Sequence, residues 1–430
     1  MQMLAVIGAS LAGLSAARAA RAQGFDGRLV MIGDEPERPY DRPPLSKGFL
    51  LGHHLAQDLL LENADDNLEA EWLLGVGARA LDAASRTITL DDGGTVTADH
   101  LVIATGATAR SCPEFAGIGN AFTLRTLDDA RNLAPHLAPG KRLVVIGAGF
   151  IGSEVASAAT TLGMQVTVVS SDPVPFSRQL GSTLGWVVAG LHERHGVELV
   201  SGTRVKEVHS SAGWATGVTL DNGRYLAADV VLLGVGAQPN TGWLAGSGLA
   251  LGDGVLCDEA GRTGSPGIVA VGDCAAWFDP AAGRHRRLEH WTGALERPAL
   301  AVAALLGGGA AMPAAKPPYF WSDQYGTTIQ FAGNAESSDR VEVEAGDLLS
   351  LTFLAVYYRG EDPVAVLGLN QPRLFTKWRR TLTRPLTLPL GSSVAGASLV
   401  GSLVAGSPIA GAHSAALVED APALSSYLVS

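Results

Sequence analysis

Leu4-Ala5-Val6-Ile7-Gly8-Ala9-Ser10-Leu11-Ala12-Gly13 opens the chain, and Leu143-Val144-Val145-Ile146-Gly147-Ala148-Gly149-Phe150-Ile151-Gly152 repeats its pattern, with Gly147 lying 139 residues after Gly8. Each stretch is an unalternating apolar run, then a glycine turn, then an Ala-rich helical segment, to about residue 23 in the first and 162 in the second. An apolar run without alternation reads as a strand buried on both faces, the habit of parallel sheets. Further apolar runs at 27–32 and 165–169 complete a β-α-β unit in each case. One G-x-G-x-x-G is a weak signal, since a glycine also serves as a plain turn. Two copies, each between strand and helix, point to two dinucleotide sites. The first glycine makes the turn, the second admits pyrophosphate to the backbone, and the third lets helix and strand pack closely. Thus Gly147, Gly149 and Gly152 form an intact site. Gly8, Ser10 and Gly13 depart from the pattern, because Ser10 adds a Cβ and a hydroxyl beside the phosphates. A degraded site is the alternative there. Glu35, at a strand end 22 residues past Gly13, favours a working one, placed to accept hydrogen bonds from an adenosine ribose.

The 430 residues are enough for two to four domains. With 47% hydrophobic and 17% charged residues the composition is globular. A net charge of −11 disfavours a broad nucleic-acid surface but leaves room for a local basic patch. Cys112, Cys257 and Cys274 are too far apart in sequence for a C-x-x-C pair. A dithiol site and a cysteine-only metal or iron-sulfur site are therefore not expected, and the expected compartment is the reducing cytoplasm. In residues 1–22 the basic Arg18 and Arg21 come last, the reverse of a signal peptide.

Farther along, Asp91-Asp92-Gly93-Gly94 and Asp221-Asn222-Gly223 read as hairpin turns, and Val230–Leu233 as a buried strand. A strand at 267–271 runs into Gly272-Asp273-Cys274, and a helix from near Thr292 reaches Leu306. Residues 307–318 read as a linker. Strands at 327–331, 349–358 and 364–369 with a helix from 372 to about 383 then make a separate α+β unit.

Four further motifs are specific: Tyr40-Asp41-Arg42-Pro43-Pro44-Leu45-Ser46-Lys47, Gly272-Asp273-Cys274, Glu289-His290-Trp291 and Phe320-Trp321-Ser322-Asp323-Gln324-Tyr325. With the two glycine turns, the chain from residue 1 to about 382 resembles the FAD-dependent pyridine nucleotide-disulfide oxidoreductase superfamily. Within it, the chain is most similar to the ferredoxin reductase group that serves Rieske-type oxygenases and bacterial cytochromes P450. The resemblance implies a glutathione-reductase-like α/β fold: two Rossmann-like dinucleotide-binding domains and a C-terminal α+β domain. FAD would take residues 1–110 with 239–318, NADH (or NADPH) 111–238, and the C-terminal domain 319–385, leaving an Ala/Gly/Ser-rich tail at 386–430. It also implies that Arg42 neutralises the FAD pyrophosphate and Asp273 bonds the ribityl–pyrophosphate region. Thr105, Gly106 and Gly272 would pass the cofactor closely, and Gly236, with Gly234, Pro239 and Asn240, would carry the chain back between domains. Lys47 would stand near flavin N5 paired with Glu154, and Trp291 and Trp321 would cover the flavin and nicotinamide. Outside that resemblance Lys47 is an ordinary solvated lysine, Glu154 a first-turn acid favoured by the helix dipole, and the two tryptophans core. The relatives that reduce disulfides need paired cysteines near residues 42–50, and none is there; Cys274 reads as packed and inert.

The second strand end, Val168-Val169-Ser170-Ser171-Asp172, lacks the acid at 170 that NADH-preferring relatives carry. Asp172 is placed to reach the ribose, Arg178 to meet a 2′-phosphate; NADH is the favoured reading. Arg284, His285, Arg286 and Arg287, together with Arg373, Lys377, Arg379, Arg380 and Arg384, form two basic runs in an acidic chain. They suit docking of an acidic [2Fe-2S] ferredoxin, the alternative being a solvated helix face. Competing readings are an NAD(P)H oxidase or quinone reductase, and a flavin-binding signalling protein with slow turnover.

Overall fold

The computed structural model describes residues 1–63, 66–280, 282–307 and 317–382. Most of the expected linker, Arg384 and the tail from 386 lie outside the described residues. Two parallel five-stranded sheets repeat one plan. In the first, the strand order is Ile268–Ala270, His100–Ile103, Met3–Ile7, Arg28–Gly33 and Ala70–Leu74. In the second it is Ala121–Phe122, Val230–Leu233, Arg142–Ile146, Gln165–Val169 and Glu198–Val200. Leu4, Val6, Leu101, Val144 and Val230 are buried whichever face they point to, which explains the lack of alternation. A glycine turn leads from each first strand into a helix, Leu11–Ala22 or Phe150–Thr161. Each unit also carries a three-stranded antiparallel meander, folded at the two turns read from sequence.

The chain crosses between the sheets twice. Ala107–Ala109 and Ala237–Pro239 pair antiparallel at that crossing. Asn240 fastens it: its amide donates to the Thr105 carbonyl at 2.9 Å, and its side-chain oxygen accepts from the Thr108 hydroxyl at 2.7 Å. After the second sheet is complete, Ile268–Ala270 returns to pair with His100–Ile103 in the first. The helix Trp291–Leu305 then packs on Leu11–Ala22.

An antiparallel sheet follows, in the order Tyr319–Gln324, Thr327–Gly333, Asp362–Leu369, Thr352–Arg359 and Arg340–Asp347. The helix Pro372–Thr381 seats Phe375 against Gly368. The strand expected at 349–358 starts only at Thr352, because a turn brings the Leu351 N–H onto the Leu348 carbonyl. The edge strand Arg340–Asp347 is additional. The fold is α/β with two Rossmann-like units and a C-terminal α+β domain, as expected. Among the described residues no helix is long and apolar enough to cross a membrane.

Candidate active site

The two glycine turns show one device used twice. Gly8 and Gly147 adopt φ of 116° and 108°. A Cβ on Gly8 would lie 2.0 Å from the Ala104 carbonyl oxygen, and one on Gly147 2.2 Å from that of Gly234. The third glycines are as confined: Cβ atoms on Gly13 and Gly152 would press on the carbonyls of Gly8 and Gly147. Only the middle position is open. Gly149 has nothing within 4 Å of an added Cβ, and Ser10 occupies the equivalent place at the start of its helix. Neither helix has an acid in its first turn, so the unpaired N–H groups there face a cleft that suits phosphate.

That cleft has a volume of about 1250 Å³ and is walled by both sheets and the C-terminal sheet. It exceeds the ~300–1,000 Å³ of a drug-sized site, leaving room for large ligands. Gly8, Ser10, Glu35, Arg42, Lys47, Thr105, Gly106, Gly149, Glu154, Gly236, Gly272, Asp273, Trp291 and Trp321 all line it. Gly13, Gly147 and Gly152 stand behind its wall, holding the turns.

Beside the first glycine turn, Arg42 donates to Glu35 at 2.5 Å, to the Arg125 carbonyl at 2.8 Å and to the Ser10 hydroxyl at 3.3 Å. The Tyr40 hydroxyl also donates to Glu35, at 2.5 Å. Burial and that carboxylate push the Tyr40 hydroxyl far above its usual range, so it stays a donor. Arg125, which the sequence reading missed, lines the cleft and donates to Asp273 at 2.5 Å. Two arginines thus stand close to the first helix start, each balanced by one acid. That donor set fits a dianionic pyrophosphate, with Glu35 left to face a ribose.

Deeper in, Lys47 lies 2.7 Å from Glu154 and donates to the Pro43 carbonyl at 3.1 Å. Glu154 is not a first-turn acid: its helix begins at Phe150, and at the fifth helical position the carboxylate is 3% exposed. Ser46 donates to one of its oxygens at 2.5 Å and Ser322 to the other at 2.7 Å. Sequence motifs contained both serines without marking them. Trp291 donates its indole N–H to Asp41 at 2.8 Å and meets Trp321 edge-on, with ring centroids 5.7 Å apart. Burial holds the Asp41 carboxyl above its usual range, against the pull of the Trp291 N–H and Lys47. The tryptophans are wall residues of the cleft, not core.

Family models for pyridine nucleotide-disulphide oxidoreductases and for a reductase C-terminal domain match residues 2–297 and 319–392. The chain belongs to the pyridine nucleotide-disulphide oxidoreductase family. Rhodocoxin reductase of Rhodococcus erythropolis is 35% identical over 388 residues, covering 90% of both chains. The ferredoxin reductase component of chlorobenzene dioxygenase from Cupriavidus sp. strain PS12 is 38% identical over 380 residues, 86% of this chain and 90% of that one. The solved covalent complex of putidaredoxin reductase with putidaredoxin matches at a TM-score of 0.85 and 32% identity, covering 89% of this chain and 93% of that one. As a member of this family the protein is an oxidoreductase that binds FAD and NAD(H), and the donor set above fits the first.

Despite the family's name, two of the three thiols are shut away from disulfide exchange. Cys257 and Cys274 are buried, and burial pushes the Cys257 thiol up to about 12. Cys274 packs its sulfur on the Val271 carbonyl at 3.3 Å. Two further expectations need revision. Asp172 does not line the cleft; its carbonyl accepts from the Ser170 hydroxyl, and its carboxylate lies 3.7 Å from Arg178, which does line the cleft. The basic run at 284–287 is largely internally balanced. Arg284 pairs with Glu336, Arg286 with Asp279, and Arg287 with Asp253 and Glu289. With a side chain only 9% exposed, Arg287 is part of the cleft wall.

Proposed function

We propose that this protein takes a hydride from NADH and passes electrons singly to a [2Fe-2S] ferredoxin that feeds a Rieske-type oxygenase or a cytochrome P450. The observation that carries it is the single cleft reached by both glycine turns and closed by the C-terminal sheet, in a chain similar over most of its length to ferredoxin reductases of such systems. Bound FAD supplies the chemistry, accepting a hydride and releasing electrons one at a time. The chain's own contribution is placement and charge. Residues 1–110 with 239–318 hold FAD, 111–238 hold NADH, and 319–385 cover the site. Arg42 and Arg125 carry the pyrophosphate while Glu35 takes the ribose. Lys47, held beside Glu154, offers a fixed cation to the flavin, and Trp291 and Trp321 exclude water from the transfer.

NADH rather than NADPH is supported by the Asp172–Arg178 pair. The arginine best placed for a 2′-phosphate already has an acid beside it, and an added phosphate would repel Asp172. The ferredoxin docks against the C-terminal helix. There Arg379 lies over the Tyr319 ring at 4.1 Å, and Tyr319 stacks on Trp321, which lines the cleft. Arg380 on the same helix extends that patch. A reducing, cytoplasmic setting is supported by the three unpaired cysteines and by the small redox partner.

The test is anaerobic. NADH bleaches the flavin rapidly, NADPH at the same concentration does so much more slowly, and added [2Fe-2S] ferredoxin restores the flavin absorbance. Fast bleaching with no transfer to any of several such ferredoxins would turn the reading to a small-acceptor reductase. No bleaching by either nucleotide would overturn it.

A further inference from the structure

The Lys47–Glu154 pair joins positions 107 residues apart in sequence. In this chain it is the visible part of a five-residue arrangement whose other members come from both ends of the molecule. Ser46 precedes Lys47 on the 3-10 turn Pro43–Ser46, whereas Ser322 and Gln324 belong to the first strand of the C-terminal sheet. Ser46, Ser322 and Gln324 are 2%, 0% and 1% exposed.

The direction of each hydrogen bond follows from chemistry. An ionised carboxylate only accepts, so the single proton of Ser322 points at Glu154, at 2.7 Å. The Ser322 oxygen is then an acceptor, and Gln324 must present its amide NH2, which lies 3.0 Å away. That orientation leaves the Gln324 side-chain oxygen buried with no hydrogen-bond partner among the described residues. Simple packing of the hairpin would not require this cost; a donor chain aimed at one carboxylate does. The same hairpin grips the same helix again one turn on, where the Tyr325 N–H donates to the Ser157 hydroxyl at 2.7 Å.

We infer that Ser322, oriented by Gln324, is a positioning residue for electron transfer: it fixes Glu154 so that Lys47 presents its charge to the flavin, and the C-terminal domain thereby sets the flavin's reduction potential. The inference rests on the flavoprotein reading and deepens it. Glu154 has one oxygen shared by Lys47 and Ser46 and the other held, among the described residues, by Ser322. Removing Ser322 frees the second oxygen, and the carboxylate no longer has a fixed bearing on the lysine. A cation free to wander stabilises electron-rich flavin less, so the potential falls.

The experiment measures the midpoint potential of bound FAD in the purified holoenzyme, alongside the rate of anaerobic reduction by NADH. Ser322→Ala is expected to shift the potential to more negative values and slow the hydride step about tenfold, the scale of losing one hydrogen bond to a charged group, with KM for NADH unchanged. In a Glu154→Gln background the same substitution is expected to move neither quantity. Tyr325→Phe, which removes only the hydroxyl contact to His192, keeps the wild-type potential and tests whether loosening the hairpin alone is enough. Ser46→Ala frees the other side of the carboxylate and is expected to act in the same direction, so the idea stays testable should Ser322→Ala not fold. A wild-type potential in the serine variants, an equal shift in the Glu154→Gln background, or an equal shift in Tyr325→Phe would overturn the inference while leaving the flavoenzyme intact. A wild-type protein that holds no FAD would overturn the reading beneath it.

Discussion

His192 is a residue whose surroundings decide its chemistry. It is fully buried, with one ring nitrogen 2.8 Å from the Tyr325 hydroxyl and the other 3.2 Å from the Ser153 hydroxyl. Burial, reinforced by neighbouring His195, pushes it from 6.5 to about 4. Between those values the unfolded chain binds a proton there and the folded chain does not, so this site's contribution is whole above pH 6.5 and is lost as pH falls towards 4. The effect is roughly 2 kcal/mol by pH 5. Melting temperatures from pH 7.5 to 5 are expected to fall more steeply for the wild type than for His192→Gln; parallel curves would remove His192 as the source. Nothing in the sequence around position 192 marks it, because the burial comes from a hairpin 133 residues away. Lys47 was legible only because it sits in a motif, and Glu154 only because it closely follows one. Arg125 sits in none. The one local clue was the capping box of Thr126 and Asp129, which places Arg125 just before a helix start.

The glycine turns make sharper statements than their motif does. Gly147 and Gly149 are two residues apart, yet only the first is confined by protein. Gly147→Ala is expected to destabilise folding by more than about 2 kcal/mol, from a left-handed φ and a carbonyl contact no side chain tolerates. Gly149→Ala, at φ −82° in open space, leaves the denaturant midpoint where it was and raises KM for NADH about tenfold. Denaturant titration with NADH kinetics on both variants checks this, and equal loss of stability would refute the division of labour. Strands and helices flanking these turns were readable because unbroken apolar runs have one interpretation beside a glycine turn. The helix Ser177–Arg194 escaped notice for the opposite reason: Gly181, Gly185 and Gly190 interrupt its pattern, and Gly181 breaks it at φ 73°. The edge strand Arg340–Asp347 hid behind its acids, with Glu342 and Glu344 turned to solvent.

At the scale of the whole molecule, a protein of net charge −11 would attract an acidic ferredoxin only through a small basic region. Ferredoxin turnover is expected to fall as ionic strength rises, whereas flavin reduction by NADH stays nearly flat. Arg379→Glu combined with Arg380→Glu should lower ferredoxin turnover several-fold and flatten its salt dependence, the flavin step remaining at the wild-type rate. Stopped-flow measurements of the two half-reactions separate the outcomes, and equal loss in both would discard the docking role. The return of Ile268–Ala270 to the first sheet has a consequence of another kind, for synthesis on the ribosome. When residue 233 has emerged, the second sheet possesses all five of its strands; the first, though begun at residue 3, still lacks one. Until then one side of His100–Ile103 presents unpaired backbone and fully buried-type side chains, the kind of edge on which nascent chains stick to one another. Of the two parallel sheets, the one begun first is completed last, and the vulnerable interval is set by the length of the domain inserted into it.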